Sequence, residues 1–152
     1  MIRHLTIDEI PLCVPFAEEF VKEHPTVGDD VVPDVFIENW RALYLTDQAT
    51  IFSLWSEDGK VLKGGLGAIV MPDLFDGKMC ANELFWFISK PYRGANEASE
   101  LIQSYRTWAH ASGAVRLRMV HFVKGPYAEI LSRLYLNMGF EPVETVCQLT
   151  LT

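Results

Sequence analysis

The spacing of apolar and polar positions changes period several times along this chain, and each change marks an element. Met1–Leu5 alternates and reads as a short strand. Thr6, with Glu9 three residues on, forms a capping box for a helix running to about His24, with Pro11 in its early turns and Pro15 placed to kink it. Pro25–Pro33, including Gly28-Asp29-Asp30, reads as a loop. Asp34 is placed to cap a second helix, Val35–Leu45, in which Phe36, Ile37, Trp40, Leu43 and Tyr44 recur at helical spacing.

The period then falls to two. Ala49–Trp55 and Val61–Met71 read as strands joined by Ser56–Lys60, whose Asp58-Gly59 pair is a hairpin signal, so the two are expected side by side and antiparallel. Gly64-Gly65-Leu66-Gly67 lacks the Gly-x-Gly-x-x-Gly order of a dinucleotide fold. It predicts a bulge or a close backbone approach, with room for a substrate as the lesser alternative. Met79–Ser89 is the long central strand. Glu97–Ser112 is a helix with Ala98, Leu101, Ile102, Tyr105, Trp108 and Ala109 on one face, and Gly113 ends it. Val115–Val123 reads as a strand, Pro126–Asn137 as a helix stopped by Gly139, and Val143–Leu151 as a final alternating strand. The predicted order is β-α-α-β-β-β-α-β-α-β, an α/β chain without repeats or low-complexity segments.

With 152 residues, 49% of them hydrophobic and 12% aromatic, one domain spanning residues 1–152 can bury its own core. A net charge of −7 speaks against a general nucleic-acid binder, which needs clustered Lys and Arg, and is compatible with a cationic or amine substrate. Cys13, Cys80 and Cys147 are odd in number and far apart, and read as reduced core residues. His4, His24, His110 and His121 are scattered, so no metal site is expected; His121 reads as a surface residue, with a secondary base as the lesser alternative. Residues 1–25 carry Arg3, His4, Asp8 and Glu9 ahead of two prolines, the mark of neither a signal peptide nor a membrane span. A cytoplasmic protein with no membrane partner is expected.

The chemistry concentrates in Glu83–Ala98. A buried aromatic strand turns at Lys90-Pro91 into a small-residue loop that opens directly into a long helix. Free backbone N–H groups and the positive end of the helix dipole converge there, which is a setting for phosphate. The string Arg93-Gly94-Ala95-Asn96-Glu97-Ala98 resembles the pyrophosphate signature of the GNAT superfamily of acyl-CoA-dependent N-acyltransferases, Arg/Gln-x-x-Gly-x-Gly/Ala, with Asn96 in place of the central glycine. A second segment resembles the same family: Leu134–Val143 has Tyr135 four residues before Gly139-Phe140. The element order matches along essentially the whole chain.

The resemblance implies a mixed, mostly antiparallel sheet flanked by helices, and acetyl-CoA as cosubstrate. The pyrophosphate would lie on the backbone N–H groups of Gly94, Ala95, Asn96, Glu97 and Ala98, with Arg93 adding charge and the Glu97 carboxylate repelling unless it turns away. The pantetheine arm would pair with Phe85, Trp86, Phe87 and Ile88 as an added strand. Glu83 is similar in place to a glutamate that takes the amine proton in several members, and its residue-level alternative is a surface or structural residue. Tyr135 is similar to the tyrosine that protonates the departing thiolate, and its alternative is core packing with a satisfied hydroxyl. The acceptor pocket would come from Pro25–Leu45 and the strand–strand turns; Asp29, Asp30 and Asp34 suit a cationic amine, and their residue-level alternative, the commoner one, is a solvated acidic loop. The function implied is transfer of an acetyl group to a primary amine of a small molecule or protein. The alternative is a catalytically weak GNAT-fold protein that binds coenzyme A or a protein partner, and a homodimer is left open.

Overall fold

The structure is a computed structural model that describes residues 1–24, 30–149 and 151. Gly28 and Asp29 of the predicted loop, and Thr150 of the predicted last strand, lie outside the described residues. The chain divides into two compact units, Met1–Arg118 and Met119–Thr152.

The first unit is built on β1 (Ile2–His4), β2 (Ala49–Trp55), β3 (Leu62–Pro72), β4 (Met79–Ile88) and β5 (Arg116–Arg118), which form one sheet in that order. The first four strands pair antiparallel, and β5 joins β4 in parallel. The Asp58-Gly59 turn forms as predicted. Gly59 takes φ 70°, and the Asp58 carboxylate accepts from Ser56 Oγ at 2.5 Å and from the Lys60 N–H at 3.2 Å.

The capping box also forms, with Glu9 accepting the Thr6 N–H at 2.9 Å and holding Arg3 at 2.7 Å. Beyond the box the chain is not one kinked helix. A 3₁₀ stretch, Ile7–Cys13, precedes α1 (Val14–Glu23), and Pro15 lies in the first turn of α1, where its missing N–H would have had no acceptor. Pro33 likewise opens α2 (Pro33–Tyr44). The residue at the N-cap is Val32, so Asp34 sits inside the first turn, favourably placed against the helix dipole, and is not the cap.

On one face of the sheet, Trp40 of α2 packs with Leu5, Ile10, Cys13, Ile51 and Trp55, and Phe36, Ile37, Leu43 and Tyr44 close around them. On the other lies α3 (Ala95–Ala111), whose Leu101, Ile102, Tyr105 and Ala109 are buried as the periodicity predicts. The β3 glycines belong to this packing. A Cβ on Gly67 would come within 2.4 Å of Trp40 and 2.6 Å of Phe85, and one on Gly64 within 2.4 Å of the Phe87 carbonyl. These are close approaches filled by the protein itself, and the substrate-room alternative has no support there.

In the second unit α4 (Ala128–Asn137) ends at Gly139, φ 88°. Two predictions fail nearby. β5 stops at Arg118 and does not continue to Val123, and 140–149 has no regular structure where a strand is predicted. Alternation describes a pleat with two faces, but a strand also needs a partner edge for its N–H and C=O groups, and among the described residues none pairs with this segment. Val143, Val146 and Leu149 are accordingly exposed, and so is Cys147, contrary to its core reading; Cys13 and Cys80 are buried. Among the described residues no helix is long and apolar enough to cross a membrane.

Candidate functional site

β4 does not alternate evenly. Gly67 lies opposite Phe85, but the next residue of β3, Ala68, lies opposite Glu83, so Leu84 is an extra residue bulged out of β4. Opposed residues share a face. Phe85 therefore joins Gly67 against Trp40 of α2, its ring 5.5 Å from the indole. Glu83, only two positions earlier, joins Ala68 on the opposite face, where α3 packs. Without the bulge the two would point the same way.

Glu83 is consequently buried, which removes the surface alternative and leaves the structural one. Its neighbour on α3 is Tyr105, fully buried, whose phenol burial pushes up, with the charge of Glu83 adding to the rise. The Tyr105 hydroxyl donates to the Arg118 carbonyl at 3.2 Å. Tyr105 is visible in the sequence only as a member of the helix's apolar face. A phenol inside such a face is the one hint that it carries a polar duty.

The bulge also sets where β5 leaves. β5 follows β4 only across Cys80–Asn82, and Glu83 is the first β4 residue beyond that pairing. From there Phe85, Trp86, Phe87 and Ile88 pair with β3, no described strand pairs with them on the β5 side, and they lead through the 3₁₀ turn Lys90–Tyr92 into α3.

α3 begins two residues earlier than its apolar pattern predicts, with Gly94 as N-cap. The N–H groups of Ala95, Asn96 and Glu97 are thus those of a helix's first turn, which have no acceptor within the helix. That of Ala98 donates to the Gly94 carbonyl at 3.3 Å. The Glu97 carboxylate folds back so closely that a Cβ on Gly94 would meet its Oε2 at 2.6 Å. Gly94 itself is extended, so it is space and not a left-handed backbone that favours glycine there.

Arg93 is engaged elsewhere. Its Nε donates to the Ile88 carbonyl at 2.6 Å, one terminal nitrogen reaches both Glu23 oxygens at 3.0 and 2.9 Å, and the guanidinium lies 4.9 Å from the Phe87 ring centre. Lys90 Nζ approaches the same carboxylate at 3.7 Å, and Ser89 Oγ donates to Glu19 at 3.3 Å. The turn before α3 is strapped to α1. Glu23 is a site residue that sequence reasoning misses, because nothing local marks a partner 70 positions away.

In the second unit Tyr135 is buried, its hydroxyl donates to the Val120 carbonyl at 3.0 Å, and its ring lies 5.6 Å from both His121 and Phe140. His121 is half-buried. Among the described residues no group of three or more His, Cys, Asp or Glu is placed to hold a metal ion.

No family model matches the sequence, and no curated protein matches it in sequence. Solved structures do match in shape. A probable acetyltransferase superposes with a TM-score of 0.77 at 19% identity, over 100% of this chain and 97% of that one. An acetyltransferase of Trypanosoma brucei gives 0.76 at 14%, over 99% of each chain. An aminoglycoside acetyltransferase from an uncultured soil metagenomic sample, solved in complex with sisomicin, gives 0.75 at 18%, over 100% of this chain and 95% of that one.

The chain has the GNAT fold. Both predicted attributes hold: the sheet is mixed and mostly antiparallel, and helices flank it. Within this GNAT fold Glu83–Ala98 forms one continuous path of bulge, strand, strapped turn and helix N-terminus.

Proposed function

We propose that the chain is an acetyltransferase that moves an acetyl group from acetyl-CoA to a primary amine. The observation that carries this reading is the parting of β5 from β4 at the Leu84 bulge, which leaves Phe85–Ile88 beside an edge leading straight to the α3 N-terminus. An extended amide-bearing arm fits such an edge as an added strand, through the backbone of Phe85, Trp86 and Phe87. The Ile88 carbonyl is already used by Arg93. The pyrophosphate would meet the first-turn N–H groups of Ala95, Asn96 and Glu97.

In the reaction the amine nitrogen bonds to the thioester carbonyl carbon, the carbon–sulfur bond breaks, and one proton passes from nitrogen to sulfur overall. Glu83, a buried carboxylate, would accept the amine proton, directly or through water. Tyr135 would return a proton to the thiolate, a role that rests on the resemblance of its helix and Gly139-Phe140 segment. The acceptor would be a cationic amine. Asp30, Asp34 and the net charge of −7 favour one, and an aminoglycoside is a fitting probe because two of the similar structures are aminoglycoside acetyltransferases. Cytoplasmic action agrees with three free cysteines.

A second reading, a GNAT-fold protein that binds coenzyme A or a partner but turns over poorly, is favoured by two details. Arg93 is neutralised by Glu23, and the Glu97 carboxylate sits where it opposes a phosphate. Calorimetric titration with acetyl-CoA, followed by a free-thiol assay over a panel of amines, separates the readings. Binding with thiol release supports the enzyme, binding without release supports the second reading in its coenzyme-binding form, and no binding overturns both of these and leaves only a partner-binding role.

A further inference from the structure

Tyr105 is the largest fully buried side chain among the described residues, yet it lies in the apolar face of α3, its ring centre 6.5 Å from that of Phe52 and 6.2 Å from that of Trp108. A phenylalanine would fill the same space with no polar atom to satisfy, so the hydroxyl is explained by what it meets. It meets the Arg118 carbonyl at 3.2 Å, 13 positions along the chain. Burial pushes the phenol up, so the hydroxyl remains a donor through neutral pH. Arg118 is the last residue of β5 and lies opposite Asn82, the residue before Glu83. The bonded carbonyl therefore stands where β5 leaves β4.

β5 is only three residues long, and so short a strand has few ladder bonds to fix where it starts and stops. Its start is set from two sides. The Val115 N–H donates to the Met79 carbonyl at 2.9 Å, and the Arg116 guanidinium reaches the carboxylates of Asp73, at 3.2 Å, and Asp76. Its end has the Tyr105 hydroxyl. At the same level Leu84 bulges out of β4, which disturbs the pairing from the other side but does not by itself hold a neighbouring strand away.

We propose that Tyr105 is a positioning residue for acyl transfer: its hydroxyl anchors the Arg118 carbonyl to α3 and so stops β5 from running on beside 83–88, where the acyl arm would add as a strand. The anchor follows from the backbone alone, and its functional consequence rests on the acetyl-CoA reading above. A carbonyl that loses this donor takes another backbone N–H, and β4 is the strand it already runs beside. Extended in that way, β5 would compete with the arm for the same strand.

Tyr105→Phe keeps the ring and removes the donor, and amide hydrogen exchange of the free protein reads the consequence directly. Exchange should slow by at least about fivefold, the worth of one ordinary hydrogen bond, at one or more amides of 83–88, although the variant melts below the wild type. A tyrosine with only a packing role would give faster exchange there as stability falls. In turnover the KM for acetyl-CoA should rise about fivefold, with kcat and the KM for the amine within about twofold of wild type. Ile10→Val, a buried change in the cluster around Trp40 on the other face of the sheet, is the control. It should also lower Tm, while slowing no amide of 83–88 and leaving the KM for acetyl-CoA unchanged. Faster or unchanged exchange at 83–88 in Tyr105→Phe overturns the anchor, whatever the ligand. Slower exchange with an unchanged KM keeps the anchor and overturns its part in acyl transfer. A wild type that neither binds nor turns over acetyl-CoA overturns the acetyltransferase reading and that part with it, and the exchange comparison still decides the anchor.

Discussion

Arg93, at the head of the pyrophosphate-like signature, spends its charge on Glu23 of α1, at 2.9 Å, and not on the helix N-terminus it precedes. The pair is largely shielded, with Glu23 15% and Arg93 24% exposed, so removing the carboxylate leaves a cation with a lost partner. Glu23→Gln should lower stability by about 1–3 kcal/mol, read as a fall in Tm. Because the guanidinium and Lys90 are then released, coenzyme A should bind a few-fold more tightly in calorimetry. Weaker binding would mean that Glu23 positions the turn for its ligand.

A methyl group at Gly67 would collide with the Trp40 indole and the Phe85 ring. Both rings are wedged between α2 and the sheet, so neither swings away freely. Gly67→Ala should cost about 2 kcal/mol in denaturant unfolding, whereas the same change at Gly77, whose Cβ would meet nothing within 4 Å, should cost only what its positive φ imposes.

Glu9 ties β1 to the 3₁₀ stretch through Arg3 and the Thr6 N–H, and these contacts, the Arg3 hydrogen bond foremost, hold its carboxyl down at about 2. A carboxyl with a depressed folded pKa stabilises the fold fully above its unfolded value near 4.5, and the contribution fades as pH falls toward 2. Glu9→Gln should therefore melt below the wild type at neutral pH, with the gap closing between about pH 4.5 and 2. A gap that stays constant through that window would show that the ionised pair contributes nothing.

The elements carried by strong local signals were legible in the sequence: the Asp58-Gly59 hairpin, the apolar face of α3 and the Thr6–Glu9 box each depend on neighbours a few residues apart. The unread features depend on distant partners. The Leu84 bulge arises from how β4 registers against β3, and no residue type announces it, yet it sends Glu83 to the α3 face and ends the pairing with β5. The Glu23–Arg93 strap joins positions that only the fold brings together. The predicted last strand fails for the converse reason, since its alternation is real but local pattern cannot supply a partner edge.

Tyr135 offers the sharpest test of whether this fold still performs chemistry. Its hydroxyl donates to the Val120 carbonyl at 3.0 Å, a bond that would satisfy a purely structural tyrosine. Tyr135→Phe keeps the ring against His121 and Phe140 and removes the bond to Val120, which is worth about 1 kcal/mol, so the fold should survive with a Tm lower by a few degrees. If the phenol also returns the proton to the thiolate, thiol release should fall about 10²-fold or more while affinity for coenzyme A holds, because the loss falls on the chemical step. The companion change Glu83→Gln should lower turnover through the other proton. Full activity in Tyr135→Phe would reduce the residue to the Val120 contact and leave Glu83 as the one group of this pair with a claim on the reaction.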